Sequence, residues 1–320
     1  MDVLSEILKG VKIEGALFFN AELSAPWCIS EPPGSEIAVH LSPGSSRLIL
    51  YHYVLSGELE AGLPDGPRER LTPGDVVIFP HGDPHVLSSG RPEKPVDALR
   101  TFAKSLSEGL KVTKYGGGGE TTRLVCGYLA CEQRLSDVIL SGLPKLLKIT
   151  LSEDASGRWL ANSIQFSVGE SSETGGAEVN TRLSELILVE TLRSYIRTLP
   201  VTQVGWLAGS RDLAIGRALA LMHSSPEKNW TISGLAREVG LSRTAFAERF
   251  KHYLDDSPMA YLAKWRLGLG AESLLKTEDS IAEIAMAVGY GSESTFNRAF
   301  KREYDVPPAQ FRRMHRSPAS

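Results

Sequence analysis

The C-terminal third of the chain contains one sequence pattern twice. The first copy spans 233–251 and the second 282–301, and the central glycines, Gly240 and Gly289, are 49 residues apart. Each copy reads as a short amphipathic helix, a tight turn at the glycine, and a second amphipathic helix with a basic residue on nearly every turn. This is the helix-turn-helix pattern, whose second helix has the shape and charge to enter the major groove of DNA. Two such motifs in tandem predict an all-α region here.

Length and charge agree with a DNA-binding module carried by another domain. A chain of 320 residues is too long for one ordinary domain, so we expect two. Its net charge of −3 is unevenly spread, because residues 210–320 hold 16 Lys/Arg against 13 Asp/Glu while residues 1–209 hold 19 against 25. A basic third on an acidic body favours a nucleic-acid partner for that third.

The chain shows neither a membrane signal nor a disulfide framework. Its first residues are charged and amphipathic, unlike a cleavable signal, and no run of 18 apolar residues occurs. The three cysteines, Cys28, Cys126 and Cys131, are an odd number, which predicts reduced thiols. We therefore expect a cytoplasmic protein with no membrane partner.

The N-terminal part predicts a β domain followed by helices. Residues 15–90 alternate short apolar runs with Gly/Pro punctuation at roughly ten-residue spacing, which is typical of a β-sandwich or barrel. The periodicity of 97–110 predicts a helix, and 116–119 is a four-glycine loop. A further strand is predicted from Arg123.

A long helix is predicted over about 178–199. Its apolar residues extend beyond one stripe, so it needs a second partner besides its own domain. Either the helix is fully packed within the chain, or it forms a dimer interface through Leu183, Leu186, Leu192 or their neighbours. The sequence favours the dimer.

The tandem motif resembles the AraC family of bacterial transcription regulators. The resemblance rests on residues within 212–314, from Trp230-Thr-Ile through Pro258-Met-Ala-Tyr-Leu and Ile281-Ala-Glu-Ile-Ala to Val306-Pro-Pro-Ala-Gln-Phe311. It implies two helical subdomains joined by one long helix, here roughly 258–276, which holds the recognition helices about one DNA turn apart. Gly268 and Gly270 lie inside that helix, where they allow either close packing or pivoting.

The N-terminal part is similar to the cupin-type sensor domain fused to many such regulators. Residues 74–85, which contain Pro80-His-Gly82-Asp-Pro-His85, fit the second cupin motif, and 53–58 resemble the end of the first. The His-x-His of metal-dependent cupins is replaced by 41–47, Leu-Ser-Pro-Gly-Ser-Ser-Arg, which argues against an enzymatic metal centre. The resemblances together imply a multidomain α and β protein. They predict a cupin-like β-barrel with helices (1–200), a linker (201–211) and an all-α domain with two helix-turn-helix motifs (212–316).

Two histidines are the candidate interior site. Period-two alternation puts His52 on one face of its strand with Leu50 and Val54, and if that face is the inner one, His52 can meet His85. With a thiolate from Cys28, Cys126 or Cys131, the pair would suit Zn²⁺ or another divalent metal. The alternatives are an effector pocket or core packing. This sequence favours the effector pocket.

The spacing of Cys126 and Cys131 leaves their role open. On a continuous strand the two thiols lie about 17 Å apart, so a bond between them needs a turn, which Gly127 permits. Buried inert thiols are the commonest outcome for such a pair, ahead of a redox or electrophile switch and metal ligation.

Nine side chains of the second helices are predicted to contact DNA. Arg suits guanine, Asn suits adenine, and Lys or Ser holds phosphate. The phenylalanines spaced four apart in each helix are predicted to form its core face. The predicted contacts are Arg243, Thr244, Arg249, Ser292, Thr295, Asn297, Arg298, Lys301 and Arg302.

These features predict a sequence-specific transcription regulator without catalytic activity. Its cupin-like domain is expected to sense a small molecule, a metal or a redox signal. Its expected partners are double-stranded promoter DNA, a small-molecule effector, a second copy of the chain and, for an activator, RNA polymerase. The alternative is a cupin-type oxygenase or isomerase fused to a DNA-binding module.

Overall fold

The chain folds into two compact units, one within Val11–Leu199 and one from Pro200 onward. The computed structural model describes residues 13–42, 48–90, 94–107, 111–131, 140–151, 155–170, 176–200 and 202–315. None of the helices in these ranges is long and apolar enough to cross a membrane.

The N-terminal unit is built on two β-sheets. One sheet has six strands in the order β11-β6-β3-β10-β1-β9, and the other has five in the order β5-β4-β7-β2-β8. All pairings are antiparallel except β1 with β9 and β2 with β8. The strands are β1 (Ile13–Ser24), β2 (Trp27–Glu31), β3 (Leu48–Ser56), β4 (Leu59–Gly62), β5 (Arg68–Leu71), β6 (Asp75–Phe79), β7 (His85–Ser89), β8 (Val96–Asp97), β9 (Val112–Gly116), β10 (Thr121–Cys131) and β11 (Leu147–Thr150).

The predicted cupin-like β-barrel takes the form of two facing sheets, whose described strands do not close into one barrel. Short turns carry the chain from one sheet to the other, as between β3 and β4, but each sheet ends in edge strands and keeps its own hydrogen-bond ladder. The core lies between the sheets and includes Phe19, Trp27, Val54, Phe79 and Leu124. The predicted cupin-like architecture is confirmed in this open form.

Four α-helices accompany the sheets in the described part of this unit. They are α1 (Gly34–Leu41), α2 (Ala98–Ser107), α3 (Ala155–Glu170) and α4 (Gly176–Thr198). Helix α4 packs on the six-stranded sheet against β1, and α3 packs on α4. As a result, both faces of β3 are covered, and its first seven residues are all buried.

The segment between β7 and β10 adds one strand to each sheet. Strand β8 extends the five-stranded sheet beside β2, and β9 extends the six-stranded sheet beside β1. Helix α2 lies between them in sequence, and its Phe102 packs 5.1 Å from Phe19 and 5.5 Å from Tyr115, ring centre to ring centre. The helix predicted over 97–110 is thus present as α2, and it contributes to the core.

Over residues 202–315, the regular structure of the C-terminal unit is entirely helical. Its helices are α5 (Trp206–Arg211), α6 (Leu213–Ser224), α7 (Ile232–Glu238), α8 (Arg243–Leu254), α9 (Pro258–Lys276), α10 (Ile281–Ala287), α11 (Glu293–Tyr304) and α12 (Pro308–His315). Helix α9 matches the predicted connecting helix. The predicted linker, 201–211, is too long, because Trp206, Leu207 and Ala208 form α5 and are buried in this unit.

A glycine in α9 is explained by close packing. A Cβ on Gly270 would lie 2.7 Å from the ring of Phe296, which is completely buried in the second motif. Of the two alternatives for the glycines of this helix, Gly270 therefore supports close packing, because only a residue without a side chain lets α11 approach α9 so closely.

Candidate DNA-binding surface and interior polar cluster

Both helix-turn-helix motifs are built by the same local devices. The turn glycines Gly240 and Gly289 have positive φ angles of 73° and 87°, where residues with a side chain are strained. Each second helix starts at a serine N-cap, since Ser242 accepts from the Ala245 N–H and Ser292 from the Thr295 N–H. These caps fix where the recognition helices α8 and α11 begin.

The phenylalanines lie in the core as predicted. Phe246 and Phe250 of α8 and Phe296 and Phe300 of α11 are fully buried. Each pair anchors one recognition helix to its subdomain and leaves the opposite face to solvent.

Most of the predicted DNA contacts lie on that outer face or near its edge. Ser292 and Asn297 are half-buried, since Ser292 caps α11 and the Asn297 amide lies 3.4 Å from the Glu293 carboxylate. Their role in DNA binding stays a prediction. The exposed members of the set are Arg243, Thr244, Arg249, Thr295, Arg298, Lys301 and Arg302.

Arg249 has a partner that the sequence did not indicate. Its guanidinium bonds the Asp212 carboxylate through Nε (2.9 Å) and through a second nitrogen. The same carboxylate caps α6 by accepting from the N–H groups of Ala214 and Ile215, and these bonds hold the pKa of Asp212 below its ordinary value against the effect of burial. The fork of Arg249 is thus engaged within the unit.

Helix α5 is attached to the first recognition helix at both ends. The N–H of Gly205, its N-cap, donates to the Tyr253 carbonyl of α8 at 2.8 Å. Asp212, its C-cap, bonds Arg249 of α8. The start of the C-terminal unit is therefore fastened to α8.

The N-terminal unit buries a line of polar side chains between its sheets. His52 and His85 meet through their Nε2 atoms at 2.8 Å, and the Nδ1 of His52 lies 2.9 Å from Cys126 Sγ. The Nδ1 of His85 lies 3.0 Å from the Asp83 carbonyl oxygen. His52, His85 and Cys126 are each at most 2% exposed. We call these three side chains the interior cluster.

The hydrogen bonds determine where the protons lie. A carbonyl only accepts, so Nδ1 of His85 carries the proton and its Nε2 accepts from Nε2–H of His52. Nδ1 of His52 must then accept from the Cys126 thiol. The cluster is a directed chain of neutral groups from Cys126 to Asp83.

Burial keeps these groups neutral. It lowers the pKa of His85 to about 4, although the bond to the Asp83 carbonyl opposes the shift. Burial, and then the neighbouring His85, hold the pKa of His52 well below its ordinary value. The pKa of the Cys126 thiol is raised well above its usual range by burial and by Glu31. A thiol in this state is a poor nucleophile.

Comparisons with known proteins assign a family model to each of the two units. A family model described as Cupin matches residues 2–197, and one described as Helix-turn-helix domain matches 235–314. The HTH-type transcriptional regulator AlkR of Acinetobacter baylyi is 26% identical over 318 residues, 98% of this chain and 99% of that protein. A putative AraC-like transcription regulator of Streptomyces lividans is 29% identical over 317 residues, and MtrA of Neisseria gonorrhoeae is 29% identical over 315, each covering 98% of both chains. The chain is a cupin-domain transcription regulator of the AraC family.

The interior cluster of this AraC-family regulator does not fit the zinc site considered from sequence. Cys126 bonds Nδ1 of His52, whereas His85 bonds Nε2 on the other side of the same ring, so the three donors do not point at one centre. Among the described residues, no group of three His, Cys, Asp or Glu side chains is arranged to hold a metal ion.

The other two cysteines lie on strands β2 and β10. Trp27 and Ile29 on β2 face the core, so Cys28 between them points to the opposite face. Strand β10 runs unbroken through Gly127 to Cys131, so the turn considered for a Cys126–Cys131 bond is not there, and about 17 Å separates the two residues. The side chain of Cys131 lies outside the described residues.

Glu31 is a residue of this regulator that sequence reasoning missed. It pairs with His85 in the β2–β7 register, so the two side chains share the inner face. Burial, and then Asp97, raise the pKa of Glu31 to about 7. The signal was available in the alternation Trp27, Ile29, Glu31, which continues the inward face of β2 by one residue.

Proposed function

We propose that this regulator senses a small-molecule effector at the interior cluster and responds by changing how its two motifs engage promoter DNA. The observation that supports this is the cluster itself. Polar groups in an apolar core cost free energy unless fully hydrogen-bonded, and apolar residues of the same volume would pack without that cost. RNA polymerase is the further partner if the regulator activates.

A route from the cluster to α4 supports the proposal. Tyr51 directly precedes His52 on β3, so its side chain lies on the opposite face of the sheet from the cluster. On that face its hydroxyl bonds Ser184 of α4 at 2.6 Å. Gly127 follows Cys126 and lies beneath the Tyr51 ring. A ligand that separates His52 from Cys126 would displace Tyr51, which bonds α4, and Gly127, which packs against the Tyr51 ring. Such a ligand would shift the equilibrium between two arrangements of α4, one with the cluster intact and one with it separated, by its difference in affinity for the two.

The sensing proposal predicts separate effects on response and on DNA binding. DNA sequences that the full-length protein binds would first be selected and placed upstream of a reporter gene. Compounds would then be screened for those that change reporter expression. We expect His52→Ala and His85→Ala to abolish the response to an inducer and to retain DNA affinity, because the cluster and the motifs lie in different units. His40→Ala, at an exposed position of α1, is the matched control. Normal induction in both cluster variants would place the sensor elsewhere.

We also propose that the regulator is a homodimer, with the outer faces of α3 and α4 at the interface. The dimer stripe predicted from sequence is partly used internally, because Leu183 and Leu192 are buried in their own unit. Leu186 is 36% exposed, and on α3 Trp159 and Phe166 are 60% and 64% exposed. Large exposed apolar side chains on adjacent helices favour burial against a partner.

Leu186→Glu is expected to weaken the dimer. It places a charge among apolar side chains that the partner would cover, so sedimentation should show monomers at concentrations where the wild type is dimeric. Val39→Glu adds the same charge at a position of α1 that is 68% exposed, and should leave assembly unchanged. A dimeric Leu186→Glu protein would contradict this interface.

A further inference from the structure

The two recognition helices are equivalent position by position. Their N-cap serines, their buried phenylalanines and their left-handed C-caps, Asp255 and Asp305, each differ by 50 in residue number. The φ angles of the two C-caps are 52° and 60°. Every residue of α8 therefore has a counterpart in α11 at the number fifty higher.

The residues opposite the core follow from helix geometry. Successive side chains are about 100° apart, so the residues two before and two after the first phenylalanine point away from the core. In α8 these are Thr244 and Glu248, and in α11 they are Ser294 and Arg298. All four are exposed. Where the second motif presents a guanidinium to DNA, the first presents a carboxylate.

Glu248 carries its charge at an exposed position of α8. Its carboxylate makes no hydrogen bond or ion pair with any residue that the structure describes. The adjacent guanidinium of Arg249 is held by Asp212, whose side chain is 5% exposed. On a surface that meets a polyanion, such a carboxylate costs affinity unless a donor on the DNA pairs with it.

The major groove has one base edge that suits a carboxylate. Cytosine presents the N4 amino group, a donor, which Glu and Asp accept from. The amino group of adenine lies beside the N7 acceptor, which repels a carboxylate, and guanine presents two acceptors. Arg298, at the equivalent position, suits the two guanine acceptors.

We propose that Glu248 is a specificity-determining residue that accepts a hydrogen bond from the N4 amino group of a cytosine in the half-site read by α8. The two motifs then read opposite base chemistry at equivalent positions. Arg249 acts as a positioning residue that holds α8 through Asp212. The DNA-binding role of the motifs themselves does not depend on this assignment.

The test is selection of binding sequences from randomised DNA with the full-length protein. Wild type should enrich cytosine at one position of one half-site, and Glu248→Gln should move that position to adenine, which glutamine pairs with bidentately. Replacing the cytosine should weaken wild-type binding roughly tenfold or more and leave Glu248→Ala nearly unaffected. Glu303→Gln removes the same charge from an exposed position of α11 beside Tyr304, and should keep the wild-type preference.

Two results would overturn the proposal. In the first, Glu248→Gln and Glu248→Ala bind all sequences more tightly with unchanged base preference, which would make the carboxylate a source of phosphate repulsion alone. In the second, both variants lose binding to every sequence although circular dichroism and thermal unfolding match wild type, which would assign Glu248 a role other than base reading.

Discussion

Replacing Gly127 with alanine is expected to destabilise the N-terminal unit by about 3 kcal/mol or more. The added Cβ would lie 2.0 Å from Cζ and Oη of Tyr51, a side chain that is completely buried and bonded to Ser184. The ring cannot move aside without giving up that bond and its packing under α4. Urea denaturation followed by circular dichroism measures the loss of unfolding free energy.

Two companion variants separate the clash from the hydrogen bond. Tyr51→Phe removes only the hydroxyl and should cost about 1–2 kcal/mol, because the buried hydrogen bond between Tyr51 and Ser184 is lost. Tyr51→Leu combined with Gly127→Ala should cost less than the sum of the single changes, since the shorter side chain leaves room for the Cβ. If the losses of unfolding free energy are additive, Gly127 is not required to make room for the Tyr51 ring.

Acid is expected to destabilise the C-terminal unit through His223, by about 2–3 kcal/mol at pH 4.5 relative to neutral pH. Its ring stacks on Trp265, 3.8 Å between centres, and its Nε2 lies 2.8 Å from the Tyr261 hydroxyl. Burial lowers the pKa of His223 to about 3. A histidine with a lowered pKa stabilises the fold fully above the unfolded value near 6.5, and this contribution is lost as the pH falls toward 3.

Comparison with His223→Phe isolates this contribution. Phenylalanine keeps a ring for stacking and cannot take up a proton, so the difference in unfolding free energy between wild type and variant should shrink or reverse as the pH falls from 7 to 4.5. Chemical denaturation at a series of pH values gives this difference directly. A difference independent of pH would mean that His223 is not buried as a neutral ring.

The C-terminal unit was predictable because its signals are local. Turn glycines and phenylalanines four apart each act within a few residues, and both appear at the predicted positions. The serine N-caps, which the structure adds, are equally local. The error over 201–211 has a tertiary cause. A six-residue segment following Pro200 and Gly205 has weak helical periodicity, and α5 exists because Trp206 and Leu207 pack into the unit.

The interior cluster was predictable only in part. Alternation along β3 placed His52 on the same face as Val54, and the cupin resemblance placed His85 opposite. The partner of each ring nitrogen depends on the β3–β10 and β3–β6 registers, which set Cys126 and Val77 beside His52. Local sequence does not encode a register between distant strands, so Cys126 was one of three equal candidates. Gly127 was interpreted as a possible break for the same reason, because the ring that requires it lies on another strand.

The attachment of α5 to α8 means that the chain arriving from the cupin unit contacts the first helix-turn-helix motif directly and the second only through α9. The chain that leaves the cupin unit at Pro200 reaches Tyr253 and Arg249 of the first recognition helix within a dozen residues, through Gly205 and Asp212. The second motif follows across the 19 residues of α9. A signal carried by the connecting chain would therefore reach the first motif before the second. Such a regulator would bind one half-site of its promoter with constant affinity and the other with an affinity that depends on the signal. The order of the two half-sites along the DNA would then affect regulation.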